Sequence, residues 1–563
     1  MKQDHSRRRE GFIKKNQYYI LALIIVLGIT VSALLFKGMS LYGDDFEYVA
    51  FAPNILAGNF SENLNVFSIR LLDDYPMAFM IGLLGYNNIA AGMYDLVCYA
   101  LAIPVVFLLA RRFHSPEAGL ISAFLFAIYP SSLKWNTTPS PMLPLVLLIS
   151  LSVLLYVYGR DRDSIILYSL SGFVGFAATS VNPLAFLYIL MLSLAIIAET
   201  IMVKARRLKF RSKPYFYFIG LLTCLTAFGI TNIFLANGVP YYNLLFTNRY
   251  YSNAGGFDEI FYTNTNLYFY IGGYFPYGFS SVVYNAALFN IGRVFDGLRQ
   301  IYAGIFSVGN ITPNDVGLFP YFALIGGAAL AYKKRRAAYP ALLWSVFLLL
   351  YMEFGSMSPT HYFPIYKLMR FAMVAEVPIL IVLGIAIAEL ARTNWKKHNI
   401  GIILAVLLLA ALFLTSIPLD YYYYIMNKNS MYYNIAAASM LKNISSSRSI
   451  NVYAPTLDTA YMDYYLGYSK NVNMINYGNG NYGTIYLPNC NQIANGSYVV
   501  IPNTVSINEI NSFNLWGVNE QWAYDPAICG MRLYSNLYSK ENTSSSLSSV
   551  VDLQNSGNLY YKP

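Results

Sequence analysis

Charge is scarce in this chain. Only 12% of its 563 residues are Asp, Glu, Lys or Arg, 56% are hydrophobic, and the mean hydropathy is +0.43. That balance excludes an ordinary soluble protein of this length and makes a bilayer part of the solvent. Cysteine is scarcer still, and four thiols in so long a chain do not make a disulfide framework. Cys98 and Cys224 fall in apolar runs, where a small buried hydrophobe is expected. Cys490 and Cys529 lie in the polar C-terminal region, where a bridge is permitted if that region is outside the cell. No G-x-G-x-x-G or Walker pattern occurs, so no nucleotide-binding loop is expected. Nor does the net charge of +10 imply nucleic acid, because the basic residues form short clusters between apolar runs, not a stripe with interleaved aromatics. No internal repeat is found, and low complexity is confined to the Ser-rich stretch Thr543–Ser549.

What the chain does have is a series of apolar runs between Tyr18 and Pro418, each near the roughly 20 residues needed to cross a hydrocarbon core of about 30 Å. The expected spans are 18–37, 88–110, 116–134, 141–159, 164–181, 183–202, 214–236, 315–332, 338–355, 371–391 and 399–418. The first follows a basic stretch but is longer than a signal-peptide core and has no small-residue cleavage site before Lys37, so it reads as a retained helix. The clusters Lys2 to Lys15, Arg111-Arg112, Arg160/Arg162, Lys204 to Lys213, Lys333 to Arg336 and Arg392 to Lys397 alternate as cytosolic loops must if about eleven helices start from a cytosolic N-terminus. An odd number places the C-terminus outside. Asn59, Asn310, Asn443, Asn495 and Asn542 begin N-x-Ser/Thr triplets in segments assigned to that side.

The expected fold is therefore a polytopic α-helical protein of the plasma membrane. Residues 1–418 form the transmembrane domain, with outer loops 38–87 and 237–314, and residues 419–563 form a small α/β extracytoplasmic domain, extracellular in the plasma membrane. In that domain the pattern predicts a helix over Met431 to Lys442 and strands over Ile450 to Ala454, Val472 to Tyr477, Tyr498 to Pro502 and Met531 to Tyr534. Long outer loops and short inner ones put the working face outside. Tyr and Phe crowd 237–314, either to stack on sugars or as an interfacial belt.

The first outer segment opens Leu41-Tyr42-Gly43-Asp44-Asp45-Phe46-Glu47-Tyr48. Adjacent carboxylates with a third at Glu47 can bind a divalent cation or deprotonate an acceptor hydroxyl; equally, Asp44 or Asp45 can cap a helix over Phe46 to Leu56. No metal site is assigned, and a divalent cation stays an open alternative. The segment continues through Ser68-Ile69-Arg70-Leu71-Leu72-Asp73-Asp74-Tyr75-Pro76 to Leu83-Leu84-Gly85-Tyr86-Asn87. A late outer loop reads Ser358-Pro359-Thr360-His361-Tyr362-Phe363-Pro364-Ile365-Tyr366-Lys367-Leu368-Met369-Arg370-Phe371, with Pro378 beyond. Lys367 and Arg370 are cations on the side where positive charge is not expected, either as phosphate contacts or snorkelling to headgroups.

This order of elements resembles the GT-C superfamily, in particular archaeal and bacterial relatives of the dolichyl-phosphate-mannose protein mannosyltransferases and of lipid A aminoarabinose transferase. The resemblance implies transfer of a sugar from a polyprenyl (dolichyl) phosphate, with inversion, to a protein, lipid or glycan acceptor on the extracytoplasmic side. By resemblance, a carboxylate early in the first outer loop is the general base, which gives Asp44 first and Asp45 next. Glu47, Arg70, Lys134, His361, Lys367 and Arg370 are the candidate substrate-binding residues, although His361 alone reads as a surface or packing residue before a ligand, and Asp73-Asp74 are expected to hold Arg70 or cap a helix. Several such relatives carry another acid after the third span. The stretch Tyr129-Pro130-Ser131-Ser132-Leu133-Lys134-Trp135-Asn136-Thr137-Thr138-Pro139 has none.

Three other readings stay open. The oligosaccharyltransferase catalytic subunit shares the acidic loop but carries a Trp-Trp-Asp-Tyr-Gly signature, for which Trp522-Ala523-Tyr524-Asp525-Pro526 is a poor match. A transporter or lipid flippase would use acids within spans, for which Glu199, Glu353, Glu376 and Glu389 are the candidates. A non-catalytic assembly protein is the third.

Overall fold

The computed structural model describes residues 2–38, 45–58, 70–182, 184–205, 214–235, 319–333, 335, 338–354, 369–393, 400–430, 432–455, 462–477, 494–502, 532–537 and 557–562. Asp44, His361, Lys367, Cys490, Cys529 and the aromatic loop 237–314, which the sequence singles out, lie outside these residues.

The described helices are α1 (Lys2–Leu34), α2 (Asp45–Ala50), α3 (Ala52–Leu56), α4 (Leu71–Leu84), α5 (Asn88–Phe113), α6 (Pro116–Ala127), α7 (Pro130–Trp135), α8 (Met142–Arg162), α9 (Ile165–Ala177), α10 (Ala185–Ala205), α11 (Phe216–Leu235), α12 (Phe319–Tyr332), α13 (Tyr339–Phe354), α14 (Met369–Ala391), α15 (Ile400–Ser430) and α16 (Tyr432–Ser445). Among the described residues, five helices are long and apolar enough to cross a membrane by length and composition: Ile13–Leu34, Asn88–Phe113, Met142–Arg162, Met373–Ala391 and Ile400–Pro418. Shorter apolar helices run over Pro116–Ala127, Ile165–Ser180, Ala185–Ile201, Phe216–Phe228, Phe322–Tyr332 and Tyr339–Leu348. Leu23, Val26, Leu343, Leu407 and Leu414 on these helices are exposed, the placement expected of side chains whose outer solvent is lipid. Pro418 does not end α15, which continues to Ser430. The proline removes only its own N–H and so one bond of the helix.

The chain divides into two compact units. The first comprises Met1–Leu35, Asn59–Tyr75 and Tyr94–Tyr421. Its core is a continuous apolar cluster that includes Tyr99, Phe107, Phe126, Leu143, Tyr168 and Leu380. Local signals set its turns. Ser115 caps α6, its Oγ accepting from the Ala118 N–H at 3.3 Å with Pro116 following at the first helical position. Asp163, at φ 49°, turns α8 back into α9. Several short apolar helices pack through glycine. A Cβ at Gly172 would collide with the Tyr217 carbonyl oxygen, and one at Gly220 with that of Ser169, so α9 and α11 approach backbone to backbone. Gly220→Val should therefore lower the thermal midpoint in detergent markedly. Overpacking costs about 1–3 kcal/mol where side chains can yield, and a carbonyl cannot rotate away. An unchanged midpoint would contradict this packing.

At one end of this unit the basic clusters gather acids. Glu389 lies 2.9 Å from both His114 Nε2 and Arg335 Nη2, Arg392 donates to Glu117 at 3.2 Å, and Arg112 pairs with Asp161. The ends of α5 and α14 and the start of α6 thus meet in one ionic patch, and a separate ion pair joins α5 to α8.

The second unit comprises Phe36–Gly58, Pro76–Met93 and Tyr422–Pro563. It contains a five-stranded sheet in the order β2-β1-β3-β5-β4, from β1 (Ile450–Pro455), β2 (Val472–Tyr477), β3 (Ser497–Pro502), β4 (Arg532–Leu537) and β5 (Gly557–Lys562). β1 pairs parallel with β2 and β3, while β5 runs antiparallel to both β3 and β4. Ile450, Val452 and Ala454 alternate onto one face of β1 and share a core with Ala437, Ala438 and Leu441, which recur at helical spacing on α16. Tyr464 donates to the Asn87 carbonyl at 2.9 Å and Tyr465 bonds the Asn88 side chain, tying the α4–α5 turn to this unit.

Candidate functional site

The site is assembled from two segments of the first unit. One is the N-terminal turn of α4. Arg70 precedes the helix; its carbonyl accepts the N–H groups of Asp73 and Asp74 at 2.8 Å, and its own N–H donates back to Asp74 Oδ2 at 3.1 Å. The acids thus satisfy and charge-complement a helix start. All three side chains are buried. Burial pushes the Asp73 carboxyl up to about 7 despite the adjacent Arg70 guanidinium. Asp74 is held well above the ordinary carboxylate range, first by burial, then by the charge of Asp73. Pro76, lacking an N–H, leaves the Leu72 carbonyl without its helical donor, and Tyr94 Oη–H fills the gap at 2.6 Å.

The other segment is α7 and the residues after it, where Ser131, Ser132, Asn136, Thr137, Thr138 and Ser140 are all buried. Such a polar stretch is expensive to bury and is held from three helices. Ser132 Oγ donates to Glu376 Oε2 of α14 at 3.0 Å, Asn136 Nδ2 to Ser32 Oγ of α1 at 2.6 Å, and the Ser140 N–H to Asp95 Oδ2 of α5 at 3.3 Å. Above the Trp135 ring sits the ammonium of Lys134, 5.3 Å from the centroid.

Of the expected site residues, Arg70 is brought together with Asp73 and Asp74, and Lys134 stands half-buried on α7. Asp45 and Glu47 lie on α2 and Arg370 is the second residue of α14; their side chains are outside the described residues. The stretch expected as one helix from Phe46 to Leu56 is two, α2 and α3, parted at Phe51 with Pro53 in the first turn of the second. Among the described residues no group of three or more His, Cys, Asp or Glu is placed to hold a metal ion.

Asp95 is not among the residues the sequence singles out, and Glu376 is among them only as a transport candidate. The usable signal was an acid inside an apolar run, which is costly in a membrane and so rarely idle. The stretch 129–139 carries no acid of its own, but α5 and α14 each bring a carboxylate to it or to the adjoining Ser140.

The sequence profile of the dolichyl-phosphate-mannose-protein mannosyltransferase family matches residues 71–233, from the start of α4 into α11. No curated protein matches the chain. ArnT from Cupriavidus metallidurans is similar over 96% of this chain and 97% of its own at 12% identity, with a TM-score of 0.50 in the apo state and 0.52 when bound to undecaprenyl phosphate. The oligosaccharyltransferase of Archaeoglobus fulgidus in its apo form is similar over 81% of this chain, also at 12% identity and a TM-score of 0.50; this chain spans 64% of that protein's length. At such identity the likeness is one of fold.

Proposed function

Because its fold is that of the GT-C superfamily, we propose that the chain is a membrane glycosyltransferase moving a sugar from a polyprenyl-phosphate donor to an acceptor on the extracytoplasmic side, with inversion. The observation that carries this reading is the end-to-end likeness to ArnT, a protein also seen with undecaprenyl phosphate bound. The bilayer holds the prenyl tail, the phosphate lies at headgroup depth, and only the sugar must reach the protein. Asp44, with Asp45 beside it, takes the proton from the acceptor hydroxyl as that oxygen attacks the anomeric carbon from the face opposite the phosphate. The bond to phosphate breaks and polyprenyl phosphate leaves as the monoester. Cations stabilise that leaving group; Arg370 and Lys134 are assigned this role, with Lys367, Arg70, Glu47 and His361 as the further substrate-binding candidates. A divalent cation, if used, would sit at the carboxylates of Asp44, Asp45 and Glu47. The acceptor is a protein hydroxyl, a lipid or a glycan.

The transporter reading gains less support. Glu199 accepts from Tyr156 at 3.0 Å, and Glu389 is bound into the ionic patch. In membranes containing the chain, label should pass from a polyprenyl-phosphate sugar to the acceptor with inverted anomeric configuration, and not from a nucleotide sugar. Retention of configuration, or transfer from the nucleotide sugar alone, would overturn the proposal.

A further inference from the structure

The two cations assigned to the donor phosphate lie on different helices, Lys134 on α7 and Arg370 at the start of α14. A hydrogen bond joins those helices, from Ser132 Oγ to Glu376 Oε2 at 3.0 Å. Ser132 is two residues from Lys134 on a helix of six residues, and Glu376 is six residues into α14 from Arg370. Both partners are buried. A carboxylate buried in an apolar helix is costly to keep there, and its surroundings add to the cost. Around the same turn Ser131 Oγ, Trp135 Nε1, Asn136 Oδ1 and Thr138 Oγ1 are buried without a hydrogen-bond partner. A segment with so many unmet polar groups does not hold itself in place. It persists because neighbouring helices hold it, and Glu376 is the hold that comes from the helix bearing the second cation.

We propose that Glu376 is a positioning residue: through Ser132 it fixes α7, and with it the Lys134 ammonium, at the spacing from α14 that the donor phosphate requires. This rests on the reading of Lys134 and Arg370 as phosphate contacts. It adds that the spacing between them is set by a buried carboxylate with no contact to substrate.

The test uses the full-length protein in nanodiscs, with polyprenyl-phosphate sugar as donor and hydrogen exchange over residues 129–141 as a second readout. Glu376→Ala and Ser132→Ala should each raise the donor KM on the order of tenfold, the factor one lost hydrogen bond commands. In both, kcat should fall as well, since a displaced Lys134 no longer stabilises the departing phosphate, and exchange over 129–141 should rise. The double variant should be no worse than either single one, because the two changes remove one bond. Glu376→Gln, whose amide oxygen still accepts from Ser132, should restore both KM and protection. The proposal is overturned if the effects multiply in the double variant, if Glu376→Gln behaves as Glu376→Ala, or if exchange over 129–141 does not change. Lys134→Ala separates this from the phosphate reading. An unchanged donor KM in that variant removes Lys134 as a phosphate contact and with it the functional half of the proposal, whatever the exchange data show for the segment.

Discussion

Asp44→Asn should lower kcat for sugar transfer by about 10²–10⁴-fold, the range a positioned general base commands, while donor KM changes little. Asparagine keeps the size and hydrogen-bonding reach of the carboxylate and cannot accept the proton, so the substitution separates base catalysis from binding. Asp45→Asn should cost less if Asp45 only supports its neighbour. The prediction comes from the place of the pair in the chain. It opens the segment after α1, where α2 begins at Asp45, and under the proposed function the prenyl-anchored donor presents its sugar there. Single-turnover kinetics with labelled donor read the chemical step directly. Full activity in both variants would remove the base assignment and leave the fold-level reading to stand without a mechanism.

The second large effect is on stability and its dependence on pH. Burial raises the Asp73 carboxyl in the folded protein to about 7 from an ordinary 3.8. Between those values the unfolded chain releases a proton that the folded one retains. Stability is therefore full below about pH 4, falls as pH rises toward 7 and is level above it, with a total loss on the order of 4 kcal/mol from this group. Asp74 is shifted in the same direction, in part by Asp73 itself, because two adjoining buried carboxylates do not both ionise against one guanidinium. Asp73→Asn removes the titrating group. The variant should be more stable than the wild type above pH 7 and show a flatter profile from pH 5 to 8, measured as thermal inactivation in detergent. Parallel profiles for the two proteins would show that Asp73 is not the group responsible. Arg70→Ala should act oppositely, since it leaves two buried acids without the cation that offsets them.

Much of the architecture could be read from apolar run length alone. Helices occupy the apolar runs, and strands run through the stretches expected between Ile450 and Tyr534. β5 escaped because Gly557–Lys562 follows a Ser- and Asn-rich stretch and carries only a brief alternation. Its partners, β3 and β4, lie well back along the chain: Ser497 pairs with Lys562 and Arg532 with Tyr561. The expected span ends at Pro418 because the apolar run stops there, yet the helix continues to Ser430, since one lost bond does not stop it. Sequence separation makes the site less legible than the fold. Motif-like residues such as Asp44-Asp45 announce themselves locally. Asp95 and Glu376 matter through bonds to residues 45 and 244 positions away, and no local pattern encodes such a pairing. Gly172 and Gly220 are similar: each reads as an ordinary membrane glycine until the opposing carbonyl is in place.

The most direct test is a reconstitution of the purified chain in lipid with a labelled polyprenyl-phosphate sugar and an acceptor. Polyprenyl phosphate should be released mole for mole with glycosylated acceptor. Release of free sugar or of none at all, with the acceptor unmodified across protein, lipid and glycan candidates, would contradict the account.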